Sequence, residues 1–574
     1  MTRRPPPAAG ADASGAAAAG AEPSAAAAEP SAEAAAPAVL RAPGRLRGRL
    51  ARFAGAIAVL AVTGAAAAAA VVVPPPADVP VTPVTVGVPA AASVVVCAGA
   101  LAQPAGDGVG DSAFDPTPVD TVSELRAVSA ASGDDDAAPA GTLAPLEGGE
   151  PLGTLRAGGS GAGALRLAGH VGPTVLRAEP VGDLPPHAAA SSASITTAGD
   201  LRGLAAASCQ VPAAEQWLVG GSTELSNSAT LVVANPGATA AEVTIEVFGP
   251  SGAVELAGSA GFLVAPGAER ALLLEGVAAE QRLIAVHVSA AGGQVTARVQ
   301  DSRLNGFTPA GVDLVSAGAA PSTRQVVSGL VVPDSALDDA DTAVLRLLAP
   351  AAGTTARISL LGPAGVVALP GADSVELVAG EVTDLSLGGL PAGPYTAVVD
   401  ADEPVVAAAM ITRTGISGEF DDVPPLERAW SAAAVPGLDA TVALPAGVTG
   451  TVVLTGIGSG ADGSGEGTAT GVLRAIGADG GVLAERDVSV PAGTTTSLDV
   501  GSLFPGTVVA GLDLVLAPPA GASGDEEAGP ELAWSVVGSV QAADGEFVSV
   551  LTPTPTAVVP DSVEVRGSHA LGLP

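Results

Sequence analysis

The 574-residue sequence contains no lysine, and only 2% of its residues are aromatic. The phosphate-binding P-loop depends on a lysine, so this absence excludes that class of nucleotide-binding enzyme. The scarcity of aromatic side chains argues against large aromatic cores, whereas 75 glycines, 49 prolines and abundant alanine and valine favour strands and turns. The length implies three or four domains rather than one hydrophobic core.

Signals for catalysis are also scarce. No G-x-S-x-G serine elbow occurs. The four histidines form no H-x-H or H-x-x-x-H pair; they are His170, His187, His287 and His569. A G-x-G-x-x-G stretch at 458–463 is followed by Gly-rich residues that cannot form the helix needed to bind a pyrophosphate, so we interpret it as a loop. We predict no enzyme activity, no cofactor and no metal site.

Two alternatives to that expectation stay open. A glycosidase-type pair of carboxylates is defined by its separation in space, so the many acidic residues leave a cryptic glycosidase as a weaker alternative. Acidic runs at 134–136, 338–341 and 421–422 could supply oxygen ligands for calcium, although none has the spacing of an EF-hand. We prefer to interpret these runs as solvated loops.

The stretch 53–73 has 21 residues without a charge, which is long enough to cross the hydrocarbon core of a bilayer. Five arginines precede it between Arg41 and Arg52, so the positive-inside rule places the N-terminus in the cytoplasm. We predict a disordered Ala/Pro-rich cytoplasmic tail with an Arg cluster at 1–52, a transmembrane helix at 53–73 and a Pro-rich stalk at 74–90. The protein would then be single-pass, with the bulk of the chain extracytoplasmic; the alternative is secretion after signal cleavage.

The formal net charge of −35 is unevenly distributed. Residues 1–52 contain seven of the 24 basic residues but only four of the 59 acidic ones. The remainder is therefore strongly acidic, and such a surface repels phosphate backbones. We expect no nucleic acid among the partners, and contact with the cell membrane through the N-terminal helix.

The most informative feature is an internal repeat with a spacing of 113 residues. Two residue types recur at this spacing in similar phrases: Gly267, Gly380 and Gly493, and Leu272, Leu385 and Leu498. A turn and an apolar strand precede each phrase, and another apolar strand follows it, so the order of elements is the same three times. A degenerate fourth copy precedes them, in which 92–99 aligns with the apolar strand at 229–236, and 174–182 aligns with the downstream strand.

Apolar residues alternate within the repeats, as at Val243, Ile245 and Val247, which indicates antiparallel strands with one buried face. The repeat has the size of an immunoglobulin-like sandwich, and a β-propeller-like arrangement is the alternative. We predict a mainly β fold of tandem immunoglobulin-like β-sandwich repeats after one N-terminal transmembrane helix. The predicted segments are a degenerate first repeat at 91–217, which contains a disordered insertion, β-sandwich repeats at 218–327, 328–430 and 431–550, and a C-terminal tail at 551–574.

The only cysteines, Cys97 and Cys209, lie near the start and the end of the first copy. Two cysteines in an exported chain predict one disulfide, and neither has the histidine neighbour that a zinc site would favour. The three tryptophans, Trp217, Trp430 and Trp534, could pack neighbouring modules together or stack on sugars. We prefer packing because aromatic residues are so few.

The phrases ASCQVPAAEQWLVGG at 207–221 and SATLVVANPGATAAEVTIEVFGPSG at 228–252 follow a membrane anchor. In this combination the chain resembles an actinobacterial family of secreted or membrane-anchored envelope proteins of unknown function. The resemblance implies an envelope location and brings no catalytic residues. We therefore expect a non-catalytic extracytoplasmic protein that acts as a structural or protein-interaction scaffold for envelope proteins. An adhesin or polysaccharide-binding module is the alternative.

Overall fold

The computed structural model describes the chain in several stretches, which are 57–58, 60–61, 84–101, 120–132, 137–155, 161–339, 341–367, 369, 374–418, 422–517, 529–558 and 562–565. The predicted tail at 1–52 lies outside these residues, as do most of the predicted transmembrane helix at 53–73 and most of the stalk. Ile57, Ala58, Leu60 and Ala61 are helical. Within the described stretches, no helix reaches the length and hydropathy of a bilayer span.

The structure is mainly β, with 60% strand and 3% helix, which confirms the predicted fold class at this level. Residues 84–565 form one compact unit. A short strand, β1 (Val84–Gly87), begins it within the predicted stalk. Four modules follow.

Module 1 contains eight strands, which are β2 (Ser93–Cys97), β3 (Val122–Ala130), β4 (Gly141–Pro145), β5 (Gly153–Leu155), β6 (Ala162–Ala168), β7 (Thr174–Ala178), β8 (His187–Thr196) and β9 (Gly203–Ser208). Module 2 contains β10 (Glu215–Val219), β11 (Asn227–Asn235), β12 (Ala241–Gly249), β13 (Gly252–Ala253), β14 (Gly261–Val264), β15 (Ala268–Leu273), a 3-10 turn (Leu274–Gly276), β16 (Ala285–Ala291), β17 (Thr296–Asn305) and β18 (Thr308–Ser316).

Module 3 contains β19 (Ser322–Val332), β20 (Val344–Leu348), β21 (Thr354–Gly362), β22 (Gly365–Val367), β23 (Ser374–Leu377), β24 (Val382–Ser386), β25 (Gly393–Thr414) and β26 (Leu426–Ala432). Module 4 contains β27 (Ala440–Ala443), β28 (Thr449–Ile457), β29 (Thr468–Gly477), β30 (Val482–Pro491), β31 (Thr495–Asp499), helix α1 (Val500–Leu503), β32 (Val509–Leu516), β33 (Glu531–Ala542), β34 (Gly545–Leu551) and β35 (Thr554–Pro555). Finally, β36 (Ser562–Val565), within the predicted C-terminal tail, pairs antiparallel with β1.

Every module pairs its eight main strands in the same antiparallel order. One sheet joins the first, sixth, third and fourth strands, and the other joins the fifth, second, seventh and eighth. In module 1 these sheets are β2-β7-β4-β5 and β6-β3-β8-β9. In module 3 the 22-residue β25 supplies both the sixth and the seventh strand. The strands β13, β22 and β35 are short additions to this common plan.

This strand order differs from the predicted immunoglobulin type. The constant-type immunoglobulin domain has sheets ABED and CFG, in which the first strand neighbours the second. Here the first strand pairs with the sixth in all four modules. The order also differs from a propeller, whose blade is one consecutive repeat of about 40–45 residues, because each four-stranded sheet draws on a whole module.

The repeated glycines occupy one turn, immediately before the fifth strand. All three have left-handed backbone conformations that glycine adopts without steric cost; they are Gly267 (φ 65°), Gly380 (φ 78°) and Gly493 (φ 77°). Each backbone N–H donates to a carbonyl at the end of the second strand, at 2.8–2.9 Å. Glycine therefore recurs at this spacing because the turn requires a left-handed backbone conformation at that position.

The first module corrects two expectations. Residues 120–132 and 137–155 were expected to belong to a disordered insertion, but they contain β3, β4 and β5. The stretch at 92–99 contains the first strand rather than the second, and 174–182 contains the sixth rather than the seventh. The true second strand, β3, is buried on both faces, because Leu125 packs inside module 1 and Val128 packs against module 4. A strand buried on both faces lacks the alternation by which it could be found.

Neighbouring modules share parts of their hydrophobic cores and close into a ring. Val243, Ile245 and Val247 point into the core of module 2, as their alternation predicts. Apolar contacts join modules 1 and 2, 2 and 3, 3 and 4, and also 4 and 1. The eighth strands β9, β18, β26 and β34 contact one another in this cyclic order, so they surround a common axis.

Candidate functional site at the axis of the ring

The axis brings together buried polar side chains from all four modules. We call five residues there the axial cluster; four are buried, namely Arg202 (module 1), Asp313 (module 2), Glu427 (module 3) and Ser549 (module 4), and the fifth, Asp544 of module 4, is partly exposed. Three of these residues lie on eighth strands, and the other two immediately precede them. The common strand order thus places polar residues from the eighth strands, or from just before them, close together at the axis.

Arg202 links three modules through its guanidinium group. Its Nη1 donates to Glu427 Oε1 at 2.8 Å, and its Nε donates to Asp544 Oδ2 at 2.6 Å. The group also lies 4.5 Å from the centroid of the Phe547 ring, within cation–π distance. Burial raises the pKa of Glu427 well above its usual value, although the charge of Arg202 opposes that shift.

Asp313 is held by modules 3 and 4. Its Oδ2 accepts the backbone N–H of Trp430 at 2.6 Å, and its Oδ1 lies 2.9 Å from Ser549 Oγ. Burial raises the pKa of Asp313 well above its usual value. Ser549 Oγ is also 2.7 Å from the carbonyl of Ala206, but a hydroxyl has only one proton to donate. Both contacts are hydrogen bonds at once when Asp313 is protonated, because Asp313 then donates to Ser549, which donates to Ala206.

A second buried carboxylate joins modules 1 and 4 away from the axial cluster. Asp513 accepts from His187 Nδ1 at 3.0 Å and from Thr441 at 2.6 Å, and it forms an ion pair with Arg474. Burial opposes ionisation, but the hydrogen bond from His187 and the nearby positive charge hold the pKa of Asp513 below its usual value. Arg474 also donates to the carbonyl of Ala131 in module 1, at 2.9 Å. We call this set of contacts the closing seam.

A cavity of about 330 Å³ lies where the connections between modules converge. Its walls include Gln210, Gly318 and Val435 from the three connections, together with Pro553 after β34. Trp534 and several small side chains make the lining largely apolar. Neither Asp313 nor Glu427 lines it, so the carboxylates with the most strongly raised pKa values do not face this cavity.

The geometry of the axial cluster is better suited to holding the modules together than to acid–base catalysis. A general acid or base must come within hydrogen-bond distance of its substrate. Asp313 and Glu427 are only 2% exposed, and their hydrogen bonds join one module to another. Structural ion-pair networks also perturb pKa values, so the raised pKa values fit a structural role.

The histidines found in the sequence are not brought together. His170 bonds to the Ala98 carbonyl at 2.8 Å, and burial lowers its pKa. His187 belongs to the closing seam. His287 is partly buried and stacks against Trp217, with 4.2 Å between the ring centroids. His569 lies outside the described residues.

The remaining candidates from the sequence are the loop at 458–463, the acidic runs and the two cysteines. Residues 458–463 form a turn and lead into strand β29, as the loop interpretation requires. The calcium candidates 134–136 lie outside the described residues, and no group of three or more ligating side chains occurs among those that are described. Cys97 and Cys209 form the predicted disulfide.

All three tryptophans and the single tyrosine are buried; they are Trp217, Trp430, Trp534 and Tyr395. Trp430 of module 3 packs into the core of module 2, and its Nε1 donates to Asp301 at 2.9 Å. This contact is the inter-module packing that we preferred from the sequence.

The sequence reasoning missed the axial cluster and the closing seam. The signal that could have found two of their members is an acidic residue inside an apolar strand, as in GVDLV at 311–315 and GLDLV at 511–515. A charge at such a position must be paired or neutralised when the strand is buried. The partners, however, come from other strands, and several of them from other modules, so they leave no local pattern.

A family model matches residues 166–501, from strand β6 to helix α1, which is more than half of the chain. The chain belongs to a family of unknown function, DUF5719. The match includes the whole of modules 2 and 3 and parts of modules 1 and 4. No curated protein matches the chain. Membership in DUF5719 agrees with the resemblance to a family of unknown function.

Proposed function

We propose that this DUF5719 protein is a non-catalytic scaffold of the cell envelope, anchored by the N-terminal segment at 53–73 with its ring of modules outside the cytoplasm. The resemblance to actinobacterial envelope proteins supports the location, and so does the arginine-flanked apolar stretch. The ring offers a large rigid surface for protein partners. In this proposal β1 and β36, which pair with each other, connect the ring to the stalk.

The observation that carries the proposal is the use of buried charge to join modules. Arg202 bonds to modules 3 and 4, and Asp513 joins module 4 to module 1. Flexible arrays normally have polar, hydrated domain interfaces, whereas Arg202, Glu427 and Asp513 are each no more than 4% exposed. Rigid placement of four similar modules is useful to a scaffold and does not require a catalytic centre.

The rigidity can be tested by urea unfolding of the full chain in detergent. Far-UV circular dichroism reports all modules, while tryptophan fluorescence reports modules 2, 3 and 4. We expect the two transitions to coincide in the wild type and to separate in Arg202→Met, because the axial cluster would lose its central cation. Arg177→Gln, at an exposed ion pair, is the control. Separate transitions in the wild type would contradict a rigid scaffold.

The location can be tested with introduced cysteines, because both natural cysteines form a disulfide. Leu225→Cys places a thiol at a position that is 90% exposed in module 2, and Ala17→Cys places one in the predicted tail. We expect a membrane-impermeant maleimide to label the first variant in intact cells and the second only after lysis. The opposite pattern would refute the topology.

The choice between protein and polysaccharide partners needs a binding experiment. The buried tryptophans leave no described indole to stack on a sugar, which favours protein partners. We expect cross-linking in intact cells to capture one reproducible envelope protein, while the same protein gives no glycan-array signal. Saturable binding to a glycan, without a captured protein, would replace the scaffold with the adhesin alternative.

A further inference from the structure

A second cavity, of about 270 Å³, lies between modules 2 and 3. Four arginines line it; they are Arg282, Arg303, Arg346 and Arg428. Only 17 basic residues follow residue 52, so about a quarter of them surround one small space in a strongly acidic chain. Four acidic side chains, Glu224, Asp301, Asp341 and Asp384, line the cavity as well, so its field depends on which of these carboxylates contact the arginines.

One of these arginines, Arg346, uses its guanidinium group in hydrogen bonds within the fold. Arg346 donates Nε and Nη2 to the two carboxylate oxygens of Asp384, at 2.7 and 2.9 Å. Its Nη1 donates to the carbonyl of Gly221 at 2.7 Å and thereby ties module 3 to module 2. Asp384 neutralises its charge, so Arg346 shapes the cavity rather than leaving it positive.

The other three arginines have no carboxylate in direct contact, although Asp301 and Asp341 act on Arg428 from a distance. Within the described part of the chain, no carboxylate lies within 4.0 Å of the guanidinium nitrogens of Arg282, Arg303 or Arg428. The Nε of Arg428 is buried and has no hydrogen-bond partner among the described residues. Burial and the neighbouring charge of Arg303 lower the pKa of Arg428 to about 10, and the charges of Asp301 and Asp341 oppose that shift. A buried, unpaired guanidinium is costly unless an anion accompanies it.

The acidic residues of the cavity do not supply that anion. Asp301 accepts the indole N–H of Trp430, and burial raises its pKa, which disfavours its charged form. Glu224 and Asp341 are exposed, and neither forms an ion pair with the cavity's arginines. The carboxylates of the cavity therefore reduce its positive charge without contacting Arg282, Arg303 or Arg428.

We propose that this cavity binds a phosphate group, either as the free ion or as a small monoester. The planar fork of a guanidinium matches phosphate oxygens in bidentate geometry, and two or more such groups match a divalent anion. The volume is slightly below the range of about 300–1,000 Å³ typical of drug-sized ligands, which suits a small anion. Arg428 would bind at the inner end and Arg303 and Arg282 nearer the mouth. The site is independent of the scaffold role.

Isothermal titration of the full-length protein in detergent with inorganic phosphate tests the site, at an ionic strength held constant with chloride. We expect saturable binding of one phosphate per chain. Arg303→Gln should weaken it by about tenfold or more, and because Arg303 is exposed the fold should tolerate the change. Asp341→Asn should tighten it, since a repulsive charge leaves the mouth. Arg486→Gln, an exposed arginine of β30, is the matched control and should change nothing.

Two results would overturn the proposal. One is the absence of saturable phosphate binding by the wild type, and the other is an equal effect of Arg303→Gln and Arg486→Gln, which would indicate non-specific attraction. Competition with glycerol 3-phosphate identifies the source of the ligand. Displacement of phosphate assigns the site to a monoester such as a lipid headgroup or its precursor, and failure to displace assigns it to the free ion.

Discussion

Asp313 and Asp513 occupy almost the same local sequence, VDLV at 312–315 and LDLV at 512–515, and both are nearly inaccessible to solvent. Their surroundings shift their pKa values in opposite directions. Asp513 faces a histidine and an arginine, which lower its pKa, whereas Asp313 faces a hydroxyl and a backbone N–H, and burial raises its pKa. The comparison teaches that neither burial nor neighbours in sequence alone set the pKa of these carboxyl groups. The partners that the fold places around each group decide the direction of the shift; for Asp513 they are Arg474 and Thr441 of its own sheet and His187 of module 1.

The strongest test of this difference between the two aspartates is Asp513→Asn, for which we expect the largest loss of stability. The amide cannot balance Arg474, whose side chain is only 12% exposed, and removing one partner of a buried pair costs about 3–5 kcal/mol. Urea unfolding at neutral pH measures this loss. Asp487→Asn, at an exposed position of β30, is the control and should stay within about 0.5 kcal/mol of the wild type. Equal stability of the two variants would show that the closing seam does not need the charge.

The pH dependence of the stability of the same variant tests whether Asp513 is ionised. Because the folded state lowers the pKa of Asp513, its contribution is present above the ordinary aspartate value and is lost as the pH falls through the lowered value. We therefore expect the difference between wild type and Asp513→Asn to shrink in acid. A constant difference across that range would contradict an ionised Asp513.

His187→Gln should have the next largest effect. It removes the donor from module 1 while leaving Arg474 and Thr441 on the carboxylate, so Asp513 remains partly satisfied. A hydrogen bond to a charged group contributes about 1.5–3 kcal/mol. Urea unfolding should show a loss of that size, with the apolar contacts of Val128 still present. A loss as great as that of Asp513→Asn would mean that His187 alone holds the closing seam.

Ser549→Ala tests the neutral site and should cost about 1–2 kcal/mol, less than the loss from Asp513→Asn. It leaves the proton of Asp313 and the carbonyl of Ala206 without their shared partner. The matched control is Ser539→Ala, an exposed hydroxyl near the end of β33 that bonds to Thr449. Unfolding midpoints that are equal for the two alanine variants would remove Ser549 from the axial cluster.

These partners also explain how much of the structure could be predicted from sequence. The alternation of Val243, Ile245 and Val247 and the turn at Gly267 are local, so periodicity and spacing predicted the strands and the repeat. The disulfide could be predicted because two cysteines allow only one pairing. Each of these features is complete within a single module.

The features that sequence reasoning missed depend on contacts between distant parts of the chain. Ser549 lies 236 residues from Asp313, and His187 lies 326 residues from Asp513. Nothing in either strand specifies which module will lie beside it. The closure of the ring, the second buried face of β3 and the charge states of the aspartates all follow from that arrangement, so local patterns could not reveal them.

Asp313→Asn should have the smallest effect on stability, and its sign should depend on pH. Asparagine resembles protonated aspartic acid, because its carbonyl oxygen can accept from the Trp430 N–H and its amide can donate to Ser549. The folded state raises the pKa of Asp313, so the wild-type contribution is complete below the ordinary aspartate value and is lost as the pH rises through the raised value.

We therefore expect Asp313→Asn to match the wild type in acid to within about 0.5 kcal/mol and to become the more stable protein as the pH rises. The advantage should grow by up to about 1.4 kcal/mol per pH unit until the raised pKa is reached. Urea unfolding from about pH 4 to pH 9 follows this difference. A variant that is less stable at every pH would mean that Asp313 is ionised, and the contrast with Asp513 would then disappear.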